Sequence, residues 1–293
     1  MDGLLYVDKP AGMTSHDVVA VVRRAARSKR VGHAGTLDPF ATGLLVLAVG
    51  QCTRLLPYVM GEPKVYEAVI RFGHETDTDD STGTPTIQLP SPELHDERAL
   101  SEAIAGLTGA IAQQPPAYSA KHVDGQRAYA LARRGVDVVL PPVTVVVHEW
   151  IVLGITDARL HVRISCGGGT YVRALARDLG RALGSAAHCE SLRRVASGPA
   201  SVVDAVPLAA LTPGAIAEGV VSLQPPLMAL GGVAHEPLDD AALEDLSFGR
   251  AVRATQDGEL AALLRDGAVV AIARRAPGDR WQPKVVLLGT SAA

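Results

Sequence analysis

One carboxylate stands in the stretch VGHAGTLDPFATGLLVLAVG, residues 31–50, between a basic run and a long apolar run. Pro39 follows Asp38 and biases it toward extended backbone. Gly32 and Gly35 precede it and permit a tight turn. A carboxylate fixed on such a loop beside apolar segments can act as nucleophile or general base. The same residue types also build a local Asx turn that carries no chemistry. A second stretch, GGGTYVRALARDLG from Gly167, sets three glycines before a helix. Helix N-terminal N–H groups after glycines can hold a phosphate. The string is neither G-x-x-x-x-G-K-[ST] nor G-x-G-x-x-G in a βαβ setting, so no nucleotide site is expected. Arg173 falls in the first turn of that helix, where a cation opposes the helix dipole and calls for an anionic partner. Tyr171 lies beside it.

Several elements must position these groups. LLYV, residues 4–7, reads as a short strand before a Pro-Gly turn. Ser15 is a candidate N-cap for a helix whose apolar stripe is Val18, Val19, Val22, Ala25 and Ala26. ATGLLVLAVG is apolar throughout, so periodicity leaves strand and helix open; Thr42 at its start and Gly50 at its end suit a short helix. KVYEAVIRFG alternates and predicts a strand with Tyr66, Ala68, Ile70 and Phe72 on one face. HETDTDDSTGTPT is acidic and loop-like, and HDERALSEAIAGLTG reads as a helix. A Pro-bounded insert, roughly 113–142, carries a short basic helix, GQRAYALARRG. VTVVVHEWIVLGI and ARLHVRISCG are two strands, and TYVRALARDLGRALG is an amphipathic helix closed at Gly184. After about Leu230 come an acidic helix and short strand-like runs, a plausible small appendage of mixed or all-β type.

The chain has 293 residues, enough for one large domain or two. The net charge is −3, but the charges are segregated. Residues 18–37 hold five Arg and Lys and no acid, residues 75–102 are strongly acidic, and 159–194 is basic again. A near-neutral total can therefore hide a positive face, although scattered solvated charge gives the same numbers. Cys52, Cys166 and Cys189 lack C-x-x-C spacing, which argues against a disulfide framework and structural zinc. No apolar run approaches roughly 18 residues, so a soluble cytoplasmic protein is expected.

Taken together, Lys9-Pro10, the string Gly32 to Pro39, Thr42-Gly43, Lys64-x-Tyr66, Thr76-Asp77 and Gly169-Thr170-Tyr171-x-Arg173 resemble the bacterial tRNA pseudouridine-55 synthases, the TruB family. The likeness runs in order from about Leu4 to Arg194, includes PPAYSAKHVDGQRAY, and fades after about Pro225. It implies an α+β pseudouridine synthase fold, with a mixed, mainly antiparallel sheet flanked by helices. Residues 1–228 would be the catalytic domain, with an RNA-gripping insert at about 113–142. Residues 229–293 would be a small C-terminal PUA-like β domain.

The implied activity is isomerase chemistry: uridine 55 in the tRNA T-loop becomes pseudouridine by base flipping, with no cofactor and no metal. Asp38 would be the essential carboxylate, whether it attacks C1′ or C6 or removes a sugar proton. Arg173 would pair with it and keep it ionised, and Tyr66 would stack on the base or move a proton at C5. His33 would fill the space the base vacates. Lys9, Pro10 and Leu192 would line the pocket, Gly35, Thr36 and Tyr171 would bind the substrate RNA, and Asp77 would touch the nucleotide or organise its loop. Lys121 and Arg127 of the insert, the basic helix at 23–30 and the 159–194 strip are candidate RNA contacts. The partner would be tRNA, gripped at its T-arm and, through the C-terminal domain, its acceptor stem, by a monomer with no obligate protein partner. The rival reading is a non-catalytic tRNA-binding or tRNA-folding protein on the same scaffold.

Overall fold

The computed structural model describes residues 1–59, 61–119, 122–123, 126–127, 134 and 140–287; for 122, 123, 126 and 127 only the backbone is described. The elements in chain order are β1 (Gly3–Lys9), α1 (Ser15–Ala25), β2 (Val31–Ala34), β3 (Thr42–Val49), β4 (Lys64–Phe72), β5 (His74–Thr76), β6 (Pro85–Gln88), α2 (Glu97–Gly106) and β7 (Gly109–Gln113). They continue with β8 (His122–Val123), β9 (Gln126–Arg127), β10 (Val143–Thr156), β11 (Arg159–Cys166), α3 (Val172–Ala182), β12 (Ala187–Ser197), β13 (Ala200–Ser201) and β14 (Val206–Pro207). The last are β15 (Ala234–Pro237), α4 (Asp240–Ser247), β16 (Val252–Arg253), β17 (Leu260–Arg265), β18 (Ala268–Ala276) and β19 (Arg280–Val286). The chain divides into two compact units: Met1–Asp38 with Leu44–Gly61 and Ser197–Ala293, and Pro39–Gly43 with Glu62–Ala196.

In the first unit β1 lies beside β14 in parallel register, Val7 opposite Val206. β2 runs antiparallel to β3, from Val31 opposite Val49 to Ala34 opposite Val46. The helix favoured for ATGLLVLAVG is corrected: the segment is β3, with every residue from Gly43 to Val49 buried. A strand covered on both faces needs no alternation, so its apolar run carries no period. The N-cap of α1 is also corrected. Thr14, not Ser15, caps the helix, accepting from the Asp17 N–H while the Asp17 side chain accepts from the Thr14 N–H, a reciprocal capping box. The expected stripe of Val18, Val19, Val22, Ala25 and Ala26 is buried. The C-terminal strands form a sheet in the order β15-β17-β18-β19-β16. Its Ala262, Val269, Ile272 and Val285 share a core with Leu4, Tyr6, Leu44 and Val46. Its other face closes on Leu238 and Leu246 around Trp281.

In the second unit the strand order is β12-β4-β11-β10-β7. β4, β11, β10 and β7 are antiparallel neighbours, with Tyr66 opposite Ile164 and Val145 opposite Ile111. β4 alternates as the sequence predicts, with Tyr66, Ala68, Ile70 and Phe72 buried. α3 buries Val172, Leu175, Ala176 and Leu179 and lies against β4 and α2. HETDTDDSTGTPT is not a plain loop. It begins as β5, is closed by β6, and buries Glu75, Thr76, Asp79 and Asp80. Acids read as solvated because sequence cannot show the cations that meet them across the fold. The basic helix expected at GQRAYALARRG lies outside the described residues.

Candidate active site

Each unit carries part of the expected set. In the first, β2 runs into the turn of Gly35, whose φ of 90° lies in the region glycine favours. Thr36 is exposed, Leu37 buried and Asp38 half-buried. The backbone just before Asp38 is clamped by Ser15. Its buried hydroxyl accepts from the Leu37 N–H at 2.9 Å and donates to the Leu37 carbonyl at 3.1 Å. Ser15 is the residue sequence reading misassigned, because a serine at a helix start signals a cap and nothing local shows a partner 22 residues away. His33 is half-buried in β2 opposite Leu47, with its ring edge-on to His16 at 5.5 Å. Lys9 is fully buried, and its ammonium donates to the carbonyls of Pro10 (2.9 Å) and Met13 (2.7 Å), bracing the turn after β1. Pro10 is exposed on that turn.

In the second unit Tyr66 is 7% exposed on β4. Lys64, two residues before it on the same face, has its pKa lowered by burial first and by Arg194 second, while Glu62 opposes the shift. Tyr171 is the N-cap of α3, and its backbone exchanges two hydrogen bonds with the buried Gln113 amide, at 2.8 and 3.1 Å. Arg173, one residue into the helix, is 2% exposed. Its guanidinium donates to the Thr78 carbonyl at 2.6 Å and the Tyr118 carbonyl at 2.9 Å and stands 3.6 Å from Asp80. Asp80 is fixed in turn by Thr78 Oγ1, Thr82 N and Thr82 Oγ1. The first turn of α3 holds no acid, so Arg173 is stabilised by groups from outside its helix, which answers the sequence-level oddity of its position. Asp77 is exposed and accepts from the Thr84 N–H at 2.8 Å, closing the turn between β5 and β6.

Leu192, 7% exposed on β12, accepts from Thr42 Oγ1 through its carbonyl. Thr42 and Gly43 pair in parallel with Arg193 and Arg194. Gly43 has φ 98°, and a Cβ there would run into the Arg194 carbonyl. Only glycine fits that approach. Lys121 lies outside the described residues. Of Arg127 only the backbone is described, in β9 opposite His122 of β8.

In the strip at 159–194 four arginines pair with the chain's own acids: Arg159 with Glu190 at 2.6 Å, Arg163 with Glu67 at 2.7 Å, Arg177 with Asp79 at 2.7 Å and Arg181 with Glu75 at 2.7 Å, with Arg163 and Arg181 still exposed. Acidic and basic segments far apart in sequence thus neutralise one another inside one unit. Arg23 and Arg24 in the last turn of α1, and Lys29 and Arg30 just beyond it, are exposed.

The family model for TruB family pseudouridylate synthase, N-terminal domain, matches residues 23–172, and that for the tRNA pseudouridylate synthase B C-terminal domain matches 173–219. A tRNA pseudouridine synthase B of Thermobifida fusca (strain YX) is 42% identical over 301 residues, covering 99% of each chain. One of Xanthomonas campestris pv. campestris (strain B100) is 38% identical and covers 100% of this chain and 96% of its own. Among solved structures, a Cbf5–Nop10–Gar1 complex aligns over 98% of this chain and 85% of that chain with a TM-score of 0.73 at 23% identity, a likeness of fold. With the family models spanning more than half its length and relatives matching nearly all of it, the chain belongs to the TruB family of pseudouridylate synthases.

Proposed function

We propose that this protein is a tRNA pseudouridine synthase that isomerises uridine 55 in the T-loop. The observation that carries the reading is similarity at 42% identity over 99% of the chain to a protein named tRNA pseudouridine synthase B. The residues its chemistry would need, Asp38, Tyr66 and Arg173, are all present.

The reaction balances within the substrate. The N1–C1′ bond breaks, the base turns, C5 bonds to C1′, and the proton on C5 is given up while N1 gains one. Neither oxidant nor cofactor enters that balance. Asp38 is the catalytic carboxylate, on a backbone braced by Ser15. Arg173 is the site's cation, and Tyr66 faces the base and serves the proton at C5. Reaching the base means extruding it, which costs a few kcal/mol of stacking; His33 takes the vacated place. Recognition rests on the T-arm backbone and loop shape, since paired RNA hides its bases in a deep groove. The basic end of α1 and the insert supply phosphate contacts, and the C-terminal sheet meets the acceptor stem. The protein acts in the cytoplasm as a monomer.

The test is tritium release from a tRNA transcript labelled at uridine C5, with wild type and Asp38→Asn side by side and a binding titration of each. Wild type is expected to release label from one T-loop uridine, and Asp38→Asn to bind but release none. Binding by both proteins with release by neither would make the scaffold a tRNA binder and remove Asp38 from its role.

A further inference from the structure

Helix α3 presents arginines at successive turns, Arg173, Arg177 and Arg181. Arg177 is 7% exposed. Its Nη1 donates to Asp79 at 2.7 Å, its Nη2 to the Gln114 carbonyl at 2.9 Å and its Nε to Asp178 at 2.9 Å. One guanidinium therefore joins α3, the turn after β5, and the segment that leaves β7. That segment, Gln113–Ser119, starts from the β7 pairing of Gln113 with Val143 and is also held by the Gln113–Tyr171 exchange and by Arg173 on the Tyr118 carbonyl. Pro115, Pro116 and Ser119 are buried along it. Beyond Gln113, side chains of α3 hold the segment through its carbonyls at Gln114 and Tyr118. The planar fork of arginine reaches a carboxylate and a carbonyl at once, which lysine cannot reproduce.

We propose that Arg177, oriented by Asp79, is a positioning residue for RNA: it anchors Gln113–Ser119, the root of the insert, and so sets RNA affinity without touching the reacting atoms. The inference rests on the synthase reading above. Asp79 is built for the task. Its φ of 59° is a left-handed conformation that Asp and Asn tolerate, and its carbonyl accepts from Cys189 N at 3.0 Å. Burial pushes its carboxyl up to about 6, against the pull of Arg177 and Arg173 and with Glu75 and Asp178 adding to the rise. Those four, from α3 and β5, are the charged groups that act on it; Glu75 is itself held by Arg181. Above that pH the carboxylate orients the guanidinium. Below it the ionic partner is gone and only the carbonyl and Asp178 remain.

The test uses the full chain with Arg177→Gln, Arg177→Lys and Asp79→Asn. It follows KM and kcat on a tRNA transcript from pH 5 to 7.5, together with amide hydrogen exchange. Arg177→Gln is expected to raise KM roughly tenfold with kcat within about twofold, to speed exchange across residues 114–119, and not to be rescued by lysine. Wild-type KM is expected to climb as pH falls through about 6, and Asp79→Asn to remove that climb. Unchanged KM and exchange in Arg177→Gln, a fall in kcat at constant KM, or a pH profile of Asp79→Asn identical to wild type would each overturn the proposal. Should Arg177→Gln lose its fold by circular dichroism, the Asp79→Asn profile decides. A wild type that converts no tRNA uridine would sink the synthase reading alone, while exchange at residues 114–119 still judges the anchor.

Discussion

At the residue scale, the backbone entering Asp38 depends on one buried hydroxyl. Ser15 satisfies both the N–H and the carbonyl of Leu37, so Ser15→Ala leaves two buried backbone groups without that partner. The expected cost is about 1–3 kcal/mol of stability, read by urea denaturation. Because the loop that carries the carboxylate loosens, kcat is expected to fall more than RNA affinity. The proline after Asp38 and the glycines before it showed that this loop was special. The serine that steadies it was legible only as a helix start.

Among the elements, β3 and α1 make separate predictions. Gly43 combines a φ of 98° with close approach to the Arg194 carbonyl. Gly43→Ala is expected to destabilise by more than about 1 kcal/mol, seen as a lowered thermal midpoint, since neither the dihedral nor the space suits a side chain. Arg24 near the end of α1 and Arg30 just beyond it are exposed. Changing Arg24 and Arg30 to Gln is expected to weaken tRNA binding. The slope of log affinity against log salt should shrink by up to about 0.9 for each phosphate no longer neutralised. A salt titration of both proteins measures this. An unchanged slope would place RNA elsewhere.

On the scale of the whole molecule, net charge says little because the acids and bases of the second unit meet one another. Stability toward acid is set by particular buried carboxylates instead. Glu236 in β15 is 1% exposed and accepts from Thr255, Gln256 and Trp281 Nε1. Burial works against its ionisation, but these hydrogen bonds prevail and hold its pKa below the ordinary carboxylate value. A depressed folded pKa contributes stability that is present above the unfolded value and lost as pH falls through the folded one. Trp281 fluorescence is therefore expected to report loosening of the C-terminal sheet below about pH 4.5, and Glu236→Gln to flatten that acid limb while lowering stability at neutral pH.

The sequence by itself determined the elements whose side chains keep a period. The alternation of KVYEAVIRF and the long runs of β10 and β11 are local signals, and so is the apolar stripe of α1, because each strand or helix face is read from neighbours in sequence. Its strings were also specific enough to name a family, and through that resemblance to propose Asp38, Tyr66 and Arg173 for the site. Tertiary structure decided the rest. β3 has no period because both its faces are covered. HETDTDDSTGTPT hides a strand and buried acids because the arginines that make burial tolerable lie about a hundred residues later, on α3. Four arginines of the basic strip meet acids through the same pairing, Arg163 and Arg181 while still exposed at the surface. Arg177 gave no signal as a lone arginine in a helix. Its role follows only from what the fold sets against it: a carboxylate in the turn after β5 and a carbonyl in the segment leaving β7. Both are remote in sequence, and both are drawn to the guanidinium because polar groups taken out of water need hydrogen-bond partners.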